Sequence, residues 1–320
     1  MSAGQRLPGT PDPMHLWKGE GGLRIAGDSW GDPGGPLVLL QHGGGQTRHA
    51  WKGAGEKLGA AGYHAIAFDA RGHGDSDWAP DGDYGQDVMV KDLVHVVAAV
   101  VAPLGNRRAI MVGASMGGGT SLVAAGEEHV DATALVMVDV APRLEPEGVD
   151  KIQAFMHQKP EGFDSLEEVA DAIASYQPHR RRPGNLAGLV KNVRLGANGK
   201  YRWHWDPRFR PTRHDMAKRH DRLEACARNL TLPTLLVRGG LSDVLSEDGA
   251  AEFCKLCPHA EYVNVTSAGH MVAGDRNDVF GDAVIEFLVR VVPPKGVPLH
   301  PPRRLHPHHE GPSGDVKDIP

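Results

Sequence analysis

The chain has 320 residues, and 35 Lys and Arg stand against 40 Asp and Glu, so the formal net charge is −5. A chain of this length can bury a large core without a disulfide or metal staple. Its acidic balance argues against nucleic acid as the main partner, because phosphate binding needs a concentrated basic surface. The longest apolar runs, such as 96–102, are far below the roughly 18 residues of a membrane span, and the N-terminus has no apolar signal region. We therefore expect a soluble, cytoplasmic protein with no membrane partner.

Short apolar runs alternate with helical patterns along most of the chain. Runs that are apolar throughout are typical of strands covered on both faces of a sheet. The predicted strands are 36–41, 64–68, 108–112, 134–138, 234–237 and 262–265. The predicted helices are 50–61, 87–101, 120–128, 247–257 and 278–291. Strand–helix alternation of this kind predicts an α/β protein with a mostly parallel sheet flanked by helices.

The alternation breaks between residues 142 and 232, which we interpret as an insertion lying over the sheet. Ser165 begins an S-x-x-E capping box, which indicates a helix start inside the insertion. Further on, Tyr201, Trp203 and Trp205 alternate along the chain. Trp203 and Trp205 are candidate substrate-binding residues, and the alternative is that they only seal the insertion against the body.

These patterns divide the chain into four segments. The core comprises 15–141 and 233–292, the insertion at 142–232 forms a cap, and 293–320 is predicted to be a disordered tail rich in Pro and His.

The three cysteines are too few for a disulfide framework. Cys254 and Cys257 form a C-x-x-C motif, but a zinc site needs four ligands and no second such pair exists. We interpret the two as small buried residues on one helix face, and we expect neither a metal nor an organic cofactor.

The segment Gly113–Gly117 reads G-x-S-x-G, directly after a predicted strand and before a predicted helix. A sharp strand-to-helix turn needs small neighbours around the serine and strains its backbone. The motif in this context predicts that Ser115 is a nucleophile exposed at the carboxyl end of the sheet.

A serine hydroxyl needs an adjacent base, and the base needs an orienting carboxylate. His270 follows the last predicted strand, and Asp243 follows the preceding one. The order Ser115, Asp243, His270 predicts a catalytic triad. Asp139, at the end of the strand before the insertion, is the competing carboxylate, and we favour Asp243 because it stands 27 residues before the histidine.

The segment His42-Gly43-Gly44-Gly45 directly follows the predicted strand 36–41. Consecutive glycines let backbone N–H groups turn toward a ligand. We expect the N–H groups of Gly44 and Met116 to form an oxyanion hole.

With these motifs the chain resembles the α/β-hydrolase superfamily. Residues 69–76, D-A-R-G-H-G-D-S, resemble a turn found in the branch that contains bromoperoxidase-like esterases and epoxide hydrolases, and the residues of that turn are structural there. Residues 115–119, S-M-G-G-G, resemble the cofactor-free haloperoxidase and esterase group. The resemblance implies an eight-stranded, mostly parallel sheet with a cap inserted after the sixth strand. The chain departs from the pattern at two places. Its loop His42–Gly45 is closer to that of some lipases than to the H-G-x-P of epoxide hydrolases, and it has Met271 where carbon–carbon bond hydrolases of this fold often carry Trp.

The nucleophile type sets the expected activity. Epoxide hydrolases of this fold use an aspartate at the strand-to-helix turn where this chain has Ser115, whereas a serine suits attack on a carbonyl. We expect a serine hydrolase that cleaves a small carboxylic ester or lactone through an acyl-enzyme. The alternatives are a carbon–carbon bond hydrolase or a perhydrolase with the same triad, and, from another class, a small-ligand receptor with slow turnover. A homo-oligomer stays open.

Overall fold

The computed structural model describes residues 3–105, 108–178, 182, 186–210, 213–270, 277–294 and 316–319. In this part of the chain, no helix combines the length and the apolarity needed to cross a membrane.

The strands form one large sheet and one small sheet. In chain order they are β1 (Gln5–Arg6), β2 (His15–Lys18), β3 (Arg24–Trp30), β4 (Leu37–Gln41), β5 (His64–Phe68), β6 (Ala109–Ala114), β7 (Ala132–Val138), β8 (Val193–Leu195), β9 (Tyr201–Trp203), β10 (Thr234–Gly239), β11 (Glu261–Val265) and β12 (Val316–Ile319). The large sheet has the order β12-β11-β10-β7-β6-β4-β5-β3-β2. Its centre is parallel, while β2 and β3 form an antiparallel pair and β3 also runs antiparallel to β5. The expected α/β-hydrolase sheet of eight mostly parallel strands is confirmed, with β12 added at one edge.

Helices cover both faces of this sheet. In chain order the helices of the described residues are α1 (Lys52–Ala60), α2 (Gln86–Val101), α3 (Met116–Gly126), α4 (Pro146–His157), α5 (Leu166–Tyr176), α6 (Arg213–Asn229), α7 (Glu247–Leu256) and α8 (Asn277–Val291). One buried cluster joins the sheet to α2, α3, α6 and α7, and another joins it to α1 and α8. The two covered faces explain why the central strands are apolar throughout.

The segment between β7 and β10 carries α4, α5, the small sheet and α6. Ser165 caps α5, since its hydroxyl accepts the Glu168 N–H at 3.2 Å. β8 and β9 pair antiparallel, and the N-terminal β1 pairs with β8. A third apolar cluster fills the space between these elements. The second half of α6 packs into the core of the main sheet through Leu223, so this helix joins the inserted segment to the body.

The C-terminal segment contains one difference from the expected tail. Residues 316–319 form β12 and pair in parallel with β11, so the expectation of disorder is wrong for these four residues. The rest of the tail after residue 294 lies outside the described residues.

Candidate active site

Ser115 stands at the turn between β6 and α3, in a strained backbone conformation. Its φ is 47° and its ψ is −110°, in a region that side-chain-bearing residues rarely adopt. The chain folds back so tightly that a Cβ on Gly113 would lie 2.4 Å from the Gly117 carbonyl oxygen. Glycine is therefore required there, and the turn presents Ser115 at the carboxyl end of the sheet.

The structure brings His270 to Asp139, not to Asp243. The His270 Nδ1 lies 2.5 Å from Asp139 Oδ2. Asp243 is instead half exposed, with 51% of its side chain accessible, and forms an ion pair with Lys151 at 2.8 Å. The prediction of Asp243 as the triad acid is therefore wrong, and the competing carboxylate takes this position.

Strand order explains this outcome. β7, which ends at Val138, lies directly beside β6, and the Ser115 N–H donates to the Val138 carbonyl at 3.0 Å. Asp139 is therefore one residue beyond the backbone partner of the nucleophile. Asp243 stands four residues past the end of β10, on a loop that has already turned outward to Lys151.

Asp139 is held by two further donors that sequence analysis missed. The Gly239 N–H donates to Oδ1 at 2.8 Å, and the Ser242 hydroxyl donates to Oδ2 at 2.5 Å. The carboxylate is fully buried, and Asp139 has a positive φ of 50°. Three donors on a buried carboxylate fix its orientation and compensate its loss of water. The sequence signal for this role was the polar residue directly after a buried strand.

The glycine loop after β4 lies against the nucleophile. A Cβ on Gly43 would be 3.3 Å from the Ser115 Cβ. The Gly43 N–H donates to Gln46 Oε1 at 2.9 Å, and the Gly45 N–H donates to His73 Nε2 at 3.1 Å. The amides on both sides of Gly44 are therefore engaged, whereas the Gly44 N–H has no hydrogen-bond partner among the described residues.

Met116 is the first residue of α3, so its N–H has no partner within the helix. Met116 and Gly44 line the same cavity as Ser115. Both predicted oxyanion-hole residues are thus beside the nucleophile.

Three buried histidines connect the glycine loop, the turn at 69–76 and the inserted segment through hydrogen bonds. The His42 Nε2 accepts the Ala70 N–H at 2.9 Å, the His73 Nε2 accepts from Gly45, and the His204 Nδ1 accepts the Gly74 N–H at 2.8 Å. Burial lowers the pKa of His42 to about 4 and that of His73 to about 3. Both rings are therefore neutral at pH 7 and can accept these hydrogen bonds.

A cavity of about 660 Å³ opens over Ser115 and His270. This volume is in the range of small-molecule sites. Its apolar walls come mainly from the segment between β7 and β10 and include Leu144, Ile152, Phe155, Met156, Tyr176 and Phe209.

Trp203 and Trp205 do not line this cavity, so their prediction as substrate-binding residues is wrong. They stack on each other with ring centroids 4.9 Å apart, and both are buried. The Trp205 Nε1 donates to the Met156 carbonyl at 3.2 Å, and Trp203 packs on Phe155. The tryptophans thus support the side chains that face the substrate space.

The C-x-x-C motif lies at the end of α7, with Cys254 inside the helix and Cys257 directly after it. Cys257 is buried in the core, and burial raises the pKa of its thiol to about 11. Within the described residues, no group of three or more His, Cys, Asp and Glu side chains is arranged to hold a metal ion.

Comparisons with known proteins agree with this architecture. The Esterase Rv0045c of Mycobacterium tuberculosis is 32% identical over 255 residues, which cover 77% of this chain and 80% of that protein. The 3-hydroxybutyrate-oligomer hydrolase of Cupriavidus necator is 28% identical over 260 residues, covering 77% of this chain and 87% of that protein.

A solved structure of an E-2-(acetamidomethylene)succinate hydrolase shares the fold, with a TM-score of 0.71 at 24% identity over 86% of this chain and 98% of that chain. The family model described as alpha/beta hydrolase fold matches residues 36–276. The chain therefore belongs to the α/β-hydrolase family.

Proposed function

We propose that the protein is a serine hydrolase that cleaves a carboxylic ester or lactone with the triad Ser115, His270 and Asp139. The observation that carries this proposal is the 2.5 Å contact between His270 Nδ1 and the buried Asp139, beside a strained serine in the same cavity. The names of the two relatives, an esterase and a 3-hydroxybutyrate-oligomer hydrolase, support a hydrolytic activity.

The contact supports distinct roles for the two imidazole nitrogens. With Nδ1–H donating to Asp139, the Nε2 is the basic atom and takes the proton of the Ser115 hydroxyl as the oxygen attacks the carbonyl carbon. Asp139 stays ionised and stabilises the imidazolium that forms.

The N–H groups of Gly44 and Met116 stabilise the oxyanion of the tetrahedral intermediate. His270 then returns the proton to the leaving alcohol, and an acyl-enzyme remains on Ser115. Water attacks this acyl group by the same route in reverse order, which releases the acid and restores the serine.

The test combines turnover with covalent labelling. We expect the wild-type protein to hydrolyse p-nitrophenyl acetate and to react with a fluorophosphonate probe. Ser115→Ala should abolish labelling and lower kcat by about 10³-fold or more, because the nucleophile is gone. Ser29→Ala, on β3 and outside the cavity lining, is the matched control and should change neither result.

The outcomes separate the competing functions. Labelling that survives in Ser115→Ala would refute the nucleophile. A β-diketone cleaved faster than any ester would assign the protein to the carbon–carbon bond hydrolases. A folded protein that binds esters and acyl analogues without turning over any of them would make it a receptor.

A further inference from the structure

The guanidinium of Arg219 is half-buried in the wall of the active-site cavity. Arg219 lies on α6 and lines the cavity together with Ser115 and His270. Within the described part of the chain, no carboxylate forms an ion pair with it. Burial lowers the pKa of Arg219 to about 10, so the side chain still carries its charge at neutral pH.

The neighbouring arginines of the cavity differ in this respect. Arg208 pairs with Asp206 at 2.7 Å. Arg222, one turn further along α6, pairs with Glu127 and with Asp87, both at 2.6 Å. The protein thus neutralises these two guanidinium groups internally and leaves that of Arg219 to the cavity.

Two other cations line the cavity, and both are exposed. They are Lys218, next to Arg219 on α6, and Arg210, whose Nε donates to the Pro207 carbonyl. Water solvates such side chains well, so they need no counter-ion. The carboxylates in the lining are Asp83 and Asp87, so the cavity has a net positive charge.

The position of Arg219 relative to the nucleophile is fixed by Gly119. A Cβ on Gly119 would lie 2.5 Å from the Arg219 Nη2, so the guanidinium rests on the α3 backbone and a larger residue at position 119 would displace it. Gly119 is four residues after Ser115, which is a distance of about 6 Å along a helix axis. The charge is therefore about one helical turn from the reacting centre.

This arrangement is unfavourable for the guanidinium itself. A half-buried charge without an ion pair loses part of its hydration without compensation. The first turn of a helix carries partial positive charge, and Gly119 lies in the first turn of α3, so the contact adds repulsion. An anion in the cavity would reverse both effects, since a guanidinium binds a carboxylate through two parallel N–H donors.

We propose that Arg219 is a carboxylate-binding residue and that the natural substrate is an ester carrying a free carboxylate. This inference rests on the proposed hydrolase function and narrows its substrate class. Among the described lining residues, Arg219 is the partly buried guanidinium without an ion pair, and it matches one carboxylate placed within a few carbon atoms of the ester carbonyl.

The test compares matched anionic and neutral esters. The p-nitrophenyl monoester of adipic acid carries the carboxylate on the acyl side, p-nitrophenyl hexanoate is its neutral match, and 4-acetoxybenzoate carries the carboxylate on the leaving group. We expect the wild-type protein to prefer one anionic ester. Arg219→Met should lower kcat/KM for that ester about 10- to 100-fold and change that for the hexanoate less than about threefold.

Two further variants isolate the position of the charge. Lys218→Gln removes one positive charge from the adjacent residue of the same cavity wall, and should keep the preference. Gly119→Ala keeps the charge but displaces the guanidinium, and should weaken the preference. If Lys218→Gln reduces the preference as much as Arg219→Met does, the effect is a general field and the proposal is wrong.

Stability and binding measurements complete the test. Removing a half-buried charge that forms no ion pair within the described residues should leave the Tm of Arg219→Met equal or higher, whereas a structural arginine would lower it. Adipate should raise the Tm of Ser115→Ala but not of the double variant with Arg219→Met.

These results distinguish the two proposals. Equal rates on all three esters, unaffected by Arg219→Met, would overturn the carboxylate site while leaving the hydrolase intact. Absence of any ester hydrolysis would overturn the hydrolase, and the adipate experiment would still decide whether Arg219 binds a carboxylate.

Discussion

Replacing Asp139 by Asn tests the triad most directly, because it keeps the shape of the side chain and changes only its hydrogen bonding. The Gly239 N–H donates to Oδ1, so the amide oxygen of the introduced asparagine is held there. The NH₂ group then occupies the position that now accepts from His270 Nδ1 and from the Ser242 hydroxyl. The new NH₂ group and the Nδ1–H of His270 would be two donors facing each other, so the imidazole must carry its proton on Nε2 instead. A protonated Nε2 cannot take the proton of Ser115.

The expected loss is large. In a serine protease with the same triad, this change produced the wrong tautomer and lowered kcat about 10⁴-fold. It corresponds to about 5.5 kcal/mol of activation free energy. We expect a loss of at least about 10² in kcat for Asp139→Asn, measured with p-nitrophenyl acetate on protein whose Tm is recorded in parallel.

Asp243→Asn is the matched control. Asp243 pairs with Lys151 on the surface, and exposed ion pairs of this kind contribute only about 0–1 kcal/mol to stability. This variant should lose less than about tenfold in kcat. If folded Asp243→Asn lost more activity than folded Asp139→Asn, the assignment of Asp139 would be refuted.

Two further predictions concern the glycine loop and its support. Gly44→Pro removes an oxyanion-hole N–H and should lower kcat about 10²- to 10³-fold. Gly44→Ala keeps the N–H, and its Cβ would lie 3.6 Å from Phe209, so this variant should be tolerated. Equal losses in both variants would show that the shape of the loop matters rather than the N–H. Burial lowers the pKa of His42 to about 4 and that of His73 to about 3 in the folded protein, whereas both histidines have a pKa near 6.5 in the unfolded chain. The free energy of unfolding should therefore fall as the pH drops from 6.5 toward 4, by about 1–2 kcal/mol per histidine at pH 5. Urea unfolding at pH 7.5 and at pH 5 measures this loss, which should be smaller in His73→Gln than in the wild-type protein. An equal loss in both proteins would contradict the assignment to His73.

The central strands could be predicted because burial on both faces makes them apolar without interruption. The predicted strand 64–68 coincides with β5, and 134–138 falls within β7. The hairpin of β2 and β3 was missed, since its outer strand exposes alternate residues and its inner strand contains Gly27 and Asp28. Residues 316–319 were also missed, because a four-residue edge strand after a long polar segment has no sequence pattern of its own.

Ser115, His270 and the glycine loop could be predicted because each depends on a local feature: a motif, or a place directly after a strand. The acid could not be settled in the same way. Its identity depends on which strand ends beside the nucleophile, and separation along the chain does not measure that distance. The 27 residues between Asp243 and His270 favoured the wrong carboxylate, whereas the parallel register of β6 with β7 puts Asp139 at the site.

Helix α6 was missed for a physical reason that bears on substrate choice. Its segment is rich in Arg, Lys, His and Asp, so its first half lacks the apolar periodicity of a helix that packs on a core. Its second half buries apolar residues, such as Leu223 and Cys226, against the sheet. A helix anchored through this half can present the preceding cations Lys218 and Arg219 to a cavity whose walls are otherwise mainly apolar. Gly119 on α3 accommodates one of these cations, Arg219, so this glycine contributes to the placement of charge in the cavity wall.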